Sequence, residues 1–208
     1  MDIAAIAGRA PVIPVLTIEE PETAVALAKA LVKGGLPVLE ITLRTEAAVV
    51  ALELIAQEVP DAIVGAGTVL NPGQLEQVQR AGARFGVSPG CTPDLAKAIG
   101  TSGLPFLPGV QTISEAMALA DRGFHLLKFF PADIAGGTGW LKAAAAPLAG
   151  LRFCPTGGVG AETASAYLAL PNVACVGGSW VAPKDAVVAR DWERIERLAA
   201  AASSLKRL

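Results

Sequence analysis

The sequence predicts an α/β fold: one (β/α)8 TIM barrel domain over residues 1–208, preceded by a short N-terminal helix from Asp2 to Gly8. Three observations carry that expectation. Eight β-rich runs alternate with Ala- and Leu-rich helical runs, and their centres recur every 20 to 27 residues, room for one strand, one helix and two short loops. No linker, charge block or low-complexity stretch divides the chain, and 208 residues suit one core better than two. Hydrophobic residues reach 52% while aromatics are only 5%, so Ala, Val, Leu and Ile supply the core, as buried parallel strands require. An open doubly wound sheet shares the alternation, but no GxGxxG follows the first strand.

The strand centres fall at Ile13, Leu39, Ile63, Phe85, Phe106, Leu126, Phe153 and Ala174. The helical windows run from Pro21 to Lys33, Glu46 to Gln57, Pro72 to Ala81 and Pro93 to Ile99. Four more follow, from Ile113 to Asp121, Gly139 to Ala146, Ala161 to Leu168 and Asp191 to Ser204. Pro21, Pro72 and Pro93 stand where a helix begins, and Asn71 and Thr92 offer N-cap oxygens. Gly34 and Gly82 follow helical runs, where a left-handed residue ends a helix well.

A formal net charge of −2 gives no electrostatic case for nucleic acid or an anionic membrane surface. No secretory signal pattern opens the chain, and no apolar run reaches the roughly 18 residues of a membrane span. Cys91, Cys154 and Cys175 are odd in number and lack a CxxC pair, so they read as reduced, small hydrophobes in a cytoplasmic protein. With a single histidine and no ligand spacing among the cysteines, the sequence offers no metal site, although one carboxylate with substrate oxygens could hold Mg²⁺.

Catalytic groups of such a barrel project from the C-terminal ends of its strands, so ionisable residues inside apolar runs are the informative ones. In Pro-Val-Leu-Glu-Ile-Thr-Leu-Arg-Thr, alternation puts Glu40, Thr42 and Arg44 on one face with Val38. That is either a structural Glu–Arg pair or a carboxylate and a guanidinium aimed into the barrel mouth. Burying an ion pair seldom improves on apolar packing, which favours the second. The third strand ends in Gly-Ala-Gly-Thr, where glycines permit close approach and Thr68 supplies a hydroxyl. Lys128, alone of seven lysines, lies inside a strongly apolar strand, His-Leu-Leu-Lys-Phe-Phe-Pro-Ala. An amine in apolar surroundings sheds its proton more readily than in water and becomes a nucleophile; the bland alternative is a side chain snorkelling at a strand end. His125 has the opposite strand parity and reads as structural, turned towards the helices. The last two strands end in Thr-Gly-Gly-Val-Gly and Val-Gly-Gly-Ser-Trp. Matched Gly-Gly turns after adjacent strands suit a phosphate cradle of backbone N–H groups, with Thr156 and Ser179 adding hydroxyls.

Taken together, Val-Leu-Glu-Ile-Thr-Leu-Arg-Thr, Val-Gly-Ala-Gly-Thr-Val-Leu-Asn-Pro, Ser-Pro-Gly, Lys-Phe-Phe-Pro-Ala, Arg-Phe-Cys-Pro-Thr-Gly-Gly and Gly-Gly-Ser-Trp resemble the class I family of 2-keto-3-deoxy-6-phosphogluconate aldolases, which includes 4-hydroxy-2-oxoglutarate aldolases. The likeness runs in order from about Pro11 to the C-terminus, and its one local departure is Cys91 after Ser-Pro-Gly, where a larger apolar residue is expected. The resemblance implies Lys128 as the Schiff-base lysine and Glu40 as the general acid/base. It implies Arg44 and Thr68 as ligands of the pyruvyl carboxylate, and Pro89, Phe130 and Thr156 as pocket residues. Gly157, Gly158, Gly178 and Ser179 would take the phosphate. The implied partners are a small keto acid and an aldehyde phosphate; the implied assembly is a homotrimer, and the implied cofactor is none, the lysine imine doing that work.

Related substrates stay open at this point: the galactonate epimer, or unphosphorylated 4-hydroxy-2-oxoglutarate. So do three other classes, namely a phosphate-binding barrel that isomerises or synthesises without a covalent step, a non-catalytic metabolite binder, and a metal-dependent aldolase.

Overall fold

Parallel strands alternating with helices form the core of the protein, as a computed structural model describing residues 1–207 shows. Helix α1 (Ile3–Ala7) is N-capped by Asp2, whose carboxylate accepts from the Ala5 N–H at 2.7 Å. Strand β1 (Val12–Leu16) leads through a 3-10 turn (Pro21–Thr23) into α2 (Ala24–Lys33). Next come β2 (Val38–Thr42), α3 (Ala48–Glu58), β3 (Ile63–Gly67), α4 (Pro72–Arg80), β4 (Gly86–Val87) and α5 (Pro93–Ser102). The second half holds β5 (Phe106–Leu107), β6 (Gly109–Val110), α6 (Ile113–Ala120), β7 (Leu126–Phe129) and α7 (Gly137–Ala145). It ends with β8 (Arg152–Pro155), α8 (Ala164–Leu168), β9 (Val176–Gly178), α9 (Lys184–Val188) and α10 (Trp192–Ser203).

Six strands pair in the order β5-β4-β3-β2-β1-β9, and β6-β7-β8 form a second sheet; every pairing is parallel. Alternation along the strands sorts the core in two. Ile13, Val38, Ile63, Phe85, Leu107, Leu126, Cys154 and Cys175 pack together on the inside of the curl, where Ile6 and Ala7 of α1 join them. The opposite faces carry Val12, Leu39, Val64, Leu127 and Phe153, packed beneath the helices. Both faces of β2 are therefore buried along its whole length, the pattern of a sheet covered on each side.

The strand expected around Phe106 is two segments, so among the described residues nine strands stand where eight were expected. Pro108 separates them because it has no N–H to donate, while its carbonyl still accepts from the Lys128 N–H at 2.9 Å. Phe85 lies one residue before β4, and the last strand begins at Val176, beyond the expected centre at Ala174. Strands β8 and β9 share no ladder among the described residues; the isolated bridges Phe153–Val173 and Thr156–Gly177 link each strand to a segment beside the other.

Asn71 and Thr92 cap α4 and α5 as expected, accepting from Gln74 and Leu95. Gly82 is left-handed, but Gly34 is not: the positive φ falls on Gly35. Gly34 is instead required by packing, since a Cβ there would overlap the Ala199 methyl and the Glu196 carbonyl of α10. Helix α9 is an addition that the sequence pattern did not announce. Its five residues are too few for a periodic stripe.

Candidate active site

Two ionisable side chains meet inside the curl. Glu40 on β2 and Lys128 on β7 each keep 2% of their surface exposed, and their Nζ–Oε1 distance is 3.1 Å. They come from strands 88 positions apart in the chain, and in each case inward parity sets the direction: Val38 and Glu40 on β2, Leu126 and Lys128 on β7. Gly67 makes the meeting possible, because a Cβ there would collide with the Glu40 carboxylate. The Phe130 ring centroid lies 5.4 Å from Nζ, an apolar wall that also faces the cation with its π surface. An amine and a carboxylate in direct contact, shielded from water, can pass a proton between them while the amine bonds to carbon.

Above this pair the strand ends carry the other expected residues. Thr42 is fully buried and donates to the Leu16 carbonyl at 2.9 Å. Arg44 lies exposed in the turn after β2, at the mouth rather than against Glu40, so the structural Glu–Arg pair is ruled out in favour of Glu40–Lys128. Thr68, half-buried just past β3, has φ of +61°, a conformation costly for a β-branched residue and characteristic of sites held for use. Pro89 follows β4 and lies against Gly109, whose register partner is Lys128. His125 is exposed and lines a cleft at the opposite, N-terminal end of the strands, rather than packing under the helices.

The segments that carry the two Gly-Gly turns meet at the Thr156–Gly177 bridge. Gly157 and Gly158 have φ of +93° and +78°, and a Cβ on Gly157 would stand 3.2 Å from the Phe130 ring. Buried Thr156 fills the space over Gly177, across to β9. Gly178 is buried under the Trp180 ring, and Ser179 is exposed where β9 meets β1. A pocket of about 300 Å³ opens there, lined by Val15, Thr17, Ser179, Pro183 and Lys184 among others. Thr17 shares parity with Ile13 and Val15, yet a threonine at the end of an apolar run carries no signal of its own.

The remaining reactive groups look inert. Burial pushes the Cys91 thiol up to about 11, although Arg122 pulls the other way. A hydrogen bond with Cys154, followed by burial, holds the Cys175 thiol well above its ordinary value. Among the described residues no three His, Cys, Asp or Glu side chains gather as a metal site, and no helix is long and apolar enough to cross a membrane.

Known proteins resemble this chain in sequence and fold. The family described as KDPG and KHG aldolase matches residues 3–198. A 2-dehydro-3-deoxy-phosphogluconate aldolase of Dickeya dadantii is 55% identical over 91% of this chain and 89% of its own length. The KHG/KDPG aldolase of Escherichia coli K12 is 53% identical over the same shares. The crystal structure of a KDPG aldolase from Legionella pneumophila, with pyruvate captured as a covalent carbinolamine, superposes with a TM-score of 0.96 at 48% identity, covering 98% of this chain and 99% of that one. With the family match spanning nearly the whole chain and half its residues shared with such relatives, the protein belongs to the KDPG and KHG aldolase family.

Proposed function

We propose that the protein is a class I aldolase that cleaves 2-dehydro-3-deoxy-6-phosphogluconate to pyruvate and glyceraldehyde 3-phosphate through an imine on Lys128, and that it also accepts 4-hydroxy-2-oxoglutarate. The observation that carries this is the buried 3.1 Å contact between Lys128 and Glu40 inside an apolar curl. The Lys128 amine attacks the C2 ketone, and the carbinolamine loses water to give an iminium. Glu40 takes the C4 hydroxyl proton as the C3–C4 bond breaks. The bonding pair flows into the iminium, leaving an enamine and releasing the aldehyde. C3 then takes a proton, and water hydrolyses the new iminium to free pyruvate and Lys128.

The exposed Arg44 guanidinium, with Thr68, holds the pyruvyl carboxylate, for which a planar fork is well matched. Pro89, Phe130 and Thr156 shape the pocket around the keto acid. Gly157, Gly158, Gly178 and Ser179 hold the phosphate through backbone N–H groups and one hydroxyl. Far from the breaking bond, that grip positions the substrate.

The two sheets act as one closed eight-stranded barrel and one domain. Support comes from the Phe153–Val173 and Thr156–Gly177 bridges and from Pro108, which links β5 to β6 and still receives the Lys128 N–H. The enzyme works as a cytoplasmic homotrimer, which sedimentation would check. Borohydride reduction in the presence of pyruvate tests the chemistry: a stable adduct on Lys128 is expected. An adduct on another lysine would refute the role of Lys128, and no adduct at all would refute the covalent mechanism.

A further inference from the structure

We propose that Thr17 reads the C5 hydroxyl of the substrate, the hydroxyl between the bond that breaks and the phosphate; this rests on the aldolase reading above. The case begins with proton accounting. Thr42 is fully buried, and its hydroxyl has two neighbours, the Leu16 carbonyl at 2.9 Å and the Thr17 hydroxyl at 3.1 Å. A carbonyl can only accept, and a hydroxyl has one proton. Both contacts are satisfied only if Thr42 donates to Leu16 and Thr17 donates to Thr42. The Thr17 proton is then committed, which leaves its oxygen only an acceptor's role, and exposed Thr17 lines a pocket with Ser179.

Such an oxygen accepts from a hydroxyl and repels a phosphate oxygen. Strand register says which part of the substrate lies over it. Val15 pairs with Glu40 on one side of β1, and Pro14 pairs with Gly178 on the other, so β1 stands between the carboxylate and Ser179. Thr17 lies one pleat above Val15 on the same face. A chain whose C4 is at Glu40 and whose phosphate is at Ser179 carries C5 across β1 at the level of Val15, one pleat below the Thr17 side chain. Thr17 is thus a specificity-determining position for an acceptor aldehyde hydroxylated beside its carbonyl.

The test compares two acceptors in condensation with pyruvate: glyceraldehyde 3-phosphate, and 3-phosphonooxypropanal, which lacks that hydroxyl. Thr17→Val removes the oxygen and keeps the shape, and Thr42 keeps its carbonyl partner. The ratio of kcat/KM between the two acceptors should fall about tenfold in Thr17→Val. In Thr17→Ser, which restores the oxygen, it should stay within about twofold of wild type. An unchanged ratio in Thr17→Val, whether the two rates hold or fall together, overturns the assignment and leaves Thr17 a structural role. If the wild type condenses pyruvate with neither acceptor and gives no borohydride adduct, the aldolase reading itself fails and Thr17 loses its role with it.

Discussion

Replacing Lys128 by Met and Glu40 by Leu, singly and together, separates what the buried pair does for the fold from what it does for chemistry. Each side chain is 3% exposed, so neither single variant can hand its orphaned partner to water without local opening. Breaking a buried pair this way costs about 3–5 kcal/mol. A proton offers an escape. At pH 7 an ordinary carboxylic acid is neutralised for about 3.7 kcal/mol and an ordinary alkylamine for about 4.6 kcal/mol, at 1.36 kcal/mol per unit. Lys128→Met should therefore lose about 3–4 kcal/mol at pH 7, and Glu40→Leu about 3–5 kcal/mol. The pH trends must run in opposite directions. In Lys128→Met the folded state binds a proton that the unfolded state has lost, so the deficit shrinks as pH falls towards 5. In Glu40→Leu the folded state sheds a proton that the unfolded state keeps, so the deficit shrinks as pH rises towards 9. The double variant buries no charge and should match or exceed wild type, by up to about 4 kcal/mol, while remaining inactive. Urea denaturation of the four proteins at pH 5.5, 7 and 8.5 reads all of this. A double variant as unstable as the worse single, or singles with the same pH trend, would refute the claim that the pair is kept for reaction at the expense of stability.

Gly67→Ala drives a methyl into the Glu40 carboxylate, so kcat should fall about a hundredfold while the borohydride adduct with pyruvate still forms; a kcat within twofold of wild type would remove Gly67 from the argument. Thr68→Gly relieves a positive φ and should raise stability by about 1 kcal/mol, seen as a melting temperature about 2–4 °C higher, with a severalfold higher KM for pyruvate in condensation. A melting temperature that falls would show the conformation unstrained. Cys91, with its thiol near 11, should react with iodoacetamide at pH 8 about two hundred times more slowly than a free cysteine, gaining about tenfold per pH unit up to pH 10. Peptide mapping after timed alkylation measures it, and labelling at the rate of free cysteine would show that the thiol is not held by burial.

What the sequence disclosed, and what it hid, follows from cost. A lysine within Leu-Leu-Lys-Phe-Phe and a glutamate within Val-Leu-Glu-Ile stand out because burying charge is expensive, and strand parity then turns both inward. Helix starts at Asn71 and Thr92 were legible because a cap is a local bond between near neighbours. The left-handed turn after α2 was assigned to Gly34 rather than Gly35, since nothing local says that Gly34 is needed as a gap for Ala199 of α10, some 165 residues away. The break at Pro108 was written in the sequence, but its effect depends on which neighbour strand would have received the missing N–H. Arg44 was legible from its parity with Glu40 and Ser179 from the matched Gly-Gly turns, and the family likeness supplied their ligands. Thr17 lies at an exposed strand end, where a polar residue costs nothing and so announces nothing. Only the direction of one proton gives it a role, because a hydroxyl that has spent its hydrogen on Thr42 can meet a substrate in one way alone.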